Sequence, residues 1–173
     1  AAALFCTEAL RGGLTTFVEL PESFLLTDEA LDDVVAAKLD TYAAAGVRNV
    51  YAPTFEDEPE LVPDLARLSD RVLAAEPGVE HVPETATIVE TDAAIDRIAD
   101  LIDRYHDPAR DSCQRVWVAP ESAVTASEEG LRAASELAAR KDVMTTTHVS
   151  EVKHQTRARS MSYVEYLDSV GYL

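Results

Sequence analysis

The chain has 173 residues, 47% of them hydrophobic, enough for one domain with its own core. Thirty-two acids against fifteen bases leave a net charge of −17, which opposes nucleic acid and anionic lipid as partners. No apolar run reaches the roughly 20 residues of a membrane-spanning helix, no basic residue precedes the apolar start as in a secretory signal, and Cys6 and Cys113 are too few for a disulfide scaffold.

In chain order, Ala1 to Arg11 reads as a helix stopped by Gly12-Gly13. Leu14 to Leu20 is rich in β-branched and aromatic residues and reads as a strand. Thr27 caps a helix with Leu31, Val34, Val35 and Tyr42 at helical spacing, ended by Gly46. Val47 to Ala52 is a second strand, closed by Pro53. Pro63 to Ala75 reads as a helix broken by Pro77-Gly78, and Val79 to Glu90 as a connection with a short extended piece. Thr91 caps the next helix, with Ile95, Ile98, Ile102 and Tyr105 along its buried stripe. Arg115 to Ala119 is a third strand, Ser127 to Lys141 a helix, and Val143 to Val149 a fourth strand. Ser162-Tyr163-Val164-Glu165 is a capping box opening a last helix that Gly171 ends.

This alternation is an α/β pattern, and strands buried on both faces make the sheet parallel. Two architectures satisfy it: an open doubly wound sheet, or part of a barrel. No Gly-rich phosphate loop follows a strand, and four βα units are half of a complete (β/α)8 barrel.

His148 ends the fourth strand and Glu151 follows three positions later. Ligands and catalysis concentrate at the C-terminal ends of parallel strands. A strand-end imidazole can ligate a divalent metal, and a carboxylate just beyond it can carry a proton to or from metal-activated water. The basic stretch Lys153 to Arg159, containing His154, reads as a solvated loop. His81 and His106 receive no role, and Trp117 between two valines reads as packing.

The segment Val118 to Ser127, the helix residues Ala133 to Ala139, and Thr147-His148-Val149-Ser150-Glu151 resemble the amidohydrolase superfamily. Within it, the likeness is to the cytosine-deaminase-like and chlorohydrolase-like branch: a proline-containing strand end, a T-x-S helix start, an E-L-A helix and a strand ending H-x-x-E. Glu8 to Thr16, Ala45 to Arg48 and Ser162 to Leu173 resemble flanking pieces of the same fold, in the same order.

The resemblance implies a partial (β/α)8 TIM barrel, with residues 1–173 a single segment covering barrel strands two to five and incomplete at both ends. It implies one divalent metal, Zn or Fe, with His148 as ligand and Glu151 as general acid/base. Many relatives carry a substrate-binding histidine after the strand-end proline; here that position is Glu121, a candidate substrate contact. The H-x-H of the first strand, the histidine of the sixth and the aspartate of the eighth are absent from these residues. The implied activity is hydrolysis of a non-peptide C–N bond, with deamination of a small heterocycle such as a purine, pyrimidine or triazine first. The competing reading is a non-catalytic partial barrel that serves as a binding or assembly element.

The expected location is cytoplasmic and a homo-oligomer is compatible with the pattern. With only three lysines, an acid-rich surface also fits a protein soluble in high salt, a halophilic habit. Four parallel strands cannot close a ring. Phe17, Val50, Val118 and Met144 are expected to point inward, where the segment alone lacks packing partners for them.

Overall fold

The computed structural model describes residues 1–21, 32–58, 88–150 and 161–173. Helix α1 (Ala2–Arg11) ends at Gly12, and Gly13, at φ +84°, turns the chain toward strand β1 (Thr16–Glu19). Only glycine enters that left-handed turn without cost. Helix α2 (Asp32–Ala45) buries Val35, Leu39 and Tyr42, at the i, i+4, i+7 spacing of one helical face. Val34, expected on that stripe, is 53% exposed, because it lies one residue round the helix. The expectations for Thr27, Leu31, Pro63 to Ala75 and Pro77-Gly78 fall outside the described residues.

Strand β2 (Arg48–Tyr51) continues after a two-residue break into β3 (Thr54–Phe55). Helix α3 (Thr91–Tyr105) buries Ala94, Ile98, Leu101 and Ile102. Its N-cap is Glu90, without a side-chain cap bond, so Thr91 is the first helical residue and not the cap. Strands β4 (Gln114–Val116) and β5 (Ala119–Pro120) follow, then α4 (Glu128–Lys141) and α5 (Tyr163–Ser169).

The sheet is parallel in the order β1-β2-β4, and β3 pairs in parallel with β5. One register, Tyr51 with Val116 and Phe55 with Pro120, runs through both pieces. The ladder is therefore one ladder, interrupted where Pro53 has no N–H to give. A Trp117 N–H to Tyr51 carbonyl bond of 3.0 Å carries pairing into the break.

The fourth strand forms as isolated contacts in place of the continuous strand expected over Val143 to Val149. Val118 bridges Thr145 and Ser122 bridges His148, both parallel. Between the two bridges the β5 side takes four residue steps and its neighbour three, which is the signature of a β-bulge. Pro120, with no N–H to donate, sits inside the bulge. The register slip is why no regular ladder forms.

Each strand thus joins the same growing edge in chain order. A doubly wound sheet reverses its order at a switch point; these strands do not, which is the progression of a barrel wall. The two faces differ accordingly. Phe17 stacks edge-on against Phe5 and Tyr42, with ring centroids 4.8 and 5.1 Å apart, so it faces the helices and not the inside of the arc. By alternation, Asn49, Tyr51, Gln114 and Val116 share that helix-covered face, and fully buried Val118 continues the row. On the opposite face Val18 is 44% exposed and Val50 is half-buried. Met144 is 61% exposed. Of the four residues expected to point inward, Val50 takes that face, while Phe17 and Val118 lie on the other. Among the described residues, no helix is long and apolar enough to cross a membrane.

Candidate functional site at the strand ends

The bulge that spans β5 brings two of the expected site residues together. Glu121 gives its N–H to the Phe55 carbonyl (2.9 Å), which anchors it to β3. Its own carbonyl accepts from the His148 main-chain N–H (3.1 Å) and contacts His148 Nδ1 at 2.9 Å. A carbonyl can only accept, so Nδ1 carries the proton, and in the neutral ring Nε2 keeps the lone pair. That is the tautomer a metal-ligating histidine needs, with its second nitrogen held by a carbonyl. The Glu121 carboxylate stands 3.4 Å from the same Nδ1, and both side chains are about one-third exposed.

Ser122, buried, closes the turn that follows. Its hydroxyl accepts from the N–H groups of Val124 (3.1 Å) and Thr125 (3.2 Å) and lies 3.0 Å from the Thr125 hydroxyl. The chain then enters α4 through Ser127, whose hydroxyl accepts from the Gly130 N–H (2.9 Å), the cap expected of the T-x-S start.

A third group at this end escaped the sequence. Asp57, two residues past β3, accepts from the Ser127 N–H (2.6 Å) through Oδ1, and from the Ser127 hydroxyl (2.8 Å) and Thr91 hydroxyl (2.6 Å) through Oδ2. One carboxylate therefore ties the β3 exit to the N-termini of α3 and α4, where the helix dipole favours a negative charge. The one visible signal was Gly130, a glycine inside a strong helical pattern. A Cβ there would overlap Asp57 Oδ2 and lie 3.0 Å from both Asp57 Cγ and the Phe55 ring.

Glu151 and the stretch containing His154 lie outside the described residues, as does His81. His106 packs its Nδ1 against the N–H and carbonyl of Val116, both at 3.1 Å, which is a structural contact at the end of α3. Cys6 is buried and Cys113 half-buried, and both are free thiols. Among the described residues, no three His, Cys, Asp or Glu side chains gather closely enough to hold a metal ion. His148 fits a metal as a single donor, and a complete coordination sphere needs ligands from elsewhere.

Comparison with known proteins gives the family and the fold. The chain is 36% identical over 132 residues to an S-triazine hydrolase of Gordonia rubripertincta, covering 76% of this chain and 26% of that protein. It is 32% identical over 96 residues to an 8-oxoguanine deaminase of Pseudomonas aeruginosa, covering 53% of this chain and 21% of the relative. The fold matches atrazine chlorohydrolase TrzN from Arthrobacter aurescens TC1, solved with zinc, at a TM-score of 0.69 and 19% identity. That match takes in 99% of this chain and 34% of the other, so the chain spans about a third or less of these proteins. The arc of parallel strands is accordingly part of a TIM-barrel-type α/β fold. With the pattern of the Amidohydrolase family matched from residue 1 to residue 173, the chain belongs to that family.

Proposed function

We propose that the protein is a metal-dependent hydrolase of non-peptide C–N bonds, an aminohydrolase acting on a cyclic amidine in a small ring such as a purine, pyrimidine or triazine. The observation that carries this reading is the His148 imidazole at the rim of the strands, fixed by the Glu121 carbonyl with Nε2 as its donor nitrogen. The relatives named for a triazine and for 8-oxoguanine support the substrate class. In this reading residues 1–173 are one segment of a longer barrel domain, matching strands two to five, and the site works inside the cell.

His148 supplies one ligand to a single divalent metal. Zinc is the first choice, from the zinc-bound relative, and iron the second. Such a metal, held in part by His148, would supply Lewis-acid activation of the water that attacks the ring carbon carrying the leaving group. Glu151 moves the proton to the departing nitrogen. Glu121 lies beside the imidazole, where the substrate's edge would pass.

Two substitutions in the intact protein test this. His148→Ala is expected to lower bound metal and abolish turnover; unchanged metal content with unchanged activity would overturn the assignment. Glu151→Gln is expected to keep the metal and lose about 10²–10⁴-fold in turnover. Activity within a factor of a few would make Glu151 a surface carboxylate.

A further inference from the structure

Resting on the reading of His148 as a metal ligand, we infer that Glu121 is a positioning residue for that imidazole, its main chain fixing the ring and its carboxylate strengthening Nε2 as a donor. The main chain of Glu121 is held on both sides. Its N–H goes to Phe55 on β3 at 2.9 Å, and its carbonyl meets both nitrogens that His148 offers on that side, at 3.1 and 2.9 Å. Pro120, just before it, fixes φ and removes a competing donor. The slip in register between the Val118–Thr145 and Ser122–His148 bridges brings the Glu121 carbonyl opposite His148.

The carboxylate adds a second interaction at the same atom. At 3.4 Å from Nδ1, its negative charge favours the proton on that nitrogen and pushes electron density toward Nε2. Both side chains are about one-third exposed, so solvent screens the interaction and the effect is a tuning of affinity, not the making of the site. A substrate contact at this position would act differently, through substrate binding with metal affinity untouched.

The test uses Glu121→Gln, which keeps shape and removes charge, with Glu121→Ala as the larger change, both in the intact protein. Zinc affinity is read by competition with a chelator, and the ring nitrogens of His148 by ¹⁵N NMR in the metal-free protein. Groups that hold the far ring nitrogen of a metal-bound histidine are worth about 10–100-fold in affinity. The expected result is a loss toward the lower end of that range in both variants, with Nδ1 protonated in the parent. Zinc binding equal to the parent in both variants, with a raised KM only, would overturn the inference and make Glu121 a substrate contact. His148→Ala serves as the control. If it binds zinc like the parent, the ligand assignment itself fails; if it loses zinc while the Glu121 variants do not, only the positioning role fails.

Discussion

A methyl group at Gly130 has no room, although alanine is ordinarily about 1 kcal/mol better than glycine in a helix. The Asp57 carboxylate and the Phe55 ring fill the space where the Cβ would go. Gly130→Ala is therefore expected to destabilise by about 1–3 kcal/mol, the usual range for overpacking, as measured by urea unfolding. A neutral or stabilising result would mean that Asp57 is not seated there. Glycine inside the run Glu128 to Lys141 is a visible anomaly, yet its cause lies on a loop far away in the chain. The placement of His148 at the rim of the strands was legible for the opposite reason. A strand end is a local feature, and the family likeness surrounds it on both sides. Its partnership with Glu121 was not legible, because it depends on a bulge that no periodicity announces.

Among the elements, α5 follows its sequence most closely. Ser162 accepts from the Glu165 N–H (3.2 Å), and the Glu165 carboxylate accepts from the Ser162 N–H (2.8 Å), the reciprocal box expected there. The Ser162 main-chain N–H, and after it the Ser162 hydroxyl, hold the Glu165 carboxyl below its ordinary 4.5. A depressed acid stabilises the fold fully above its unfolded value, and that contribution disappears as pH falls through the folded one. Exchange protection of the first-turn amides of α5 should thus be flat near neutral pH and drop below the ordinary glutamate range. In Glu165→Gln the same step should be missing; its persistence would place the titration elsewhere. Thr91 misled for a physical reason. Its hydroxyl type suits an N-cap, but it lies one residue inside the helix and donates to Asp57 instead. Tertiary partners of this kind override local preference.

At the scale of the molecule, the arc has a helix-covered face and a barer one, with Val18 and Val50 on the latter. β1 and the Thr145 to His148 stretch, paired only through two isolated bridges, lie at the edges of the described sheet. Outermost strands offer unpaired backbone groups to other chains. Residues 1–173 expressed alone are expected to self-associate at micromolar concentration and to show no deaminase activity with added metal. A compact monomer in sedimentation, with a cooperative melt, would contradict this. The net charge of −17 adds a second expectation. Screening shortens from about 10 Å at 0.1 M salt to about 3 Å at 1 M, so the melting temperature of residues 1–173 should rise over that range of KCl. A flat or falling curve would leave the acidity without a role in salt tolerance. Periodicity carried the barrel only as far as the alternation of strands and helices; the choice of a barrel wall over a doubly wound sheet came from the family resemblance, because spatial order leaves no mark on residue spacing.

The Asp57 knot also has a consequence for how such chains can diverge. Asp57 and Gly130 exclude each other's alternatives, since a side chain at one position occupies the volume needed by the other. Thr91 and Ser127 have reason to keep their hydroxyls only while that carboxylate is present. The four positions should consequently change as a linked set across related sequences, with alanine in place of Gly130 found chiefly where Asp57 has given way to a smaller residue. Relatives that combine an intact aspartate with a branched residue at the Gly130 position would show that the helix can move away from the loop, and that the linkage is not binding.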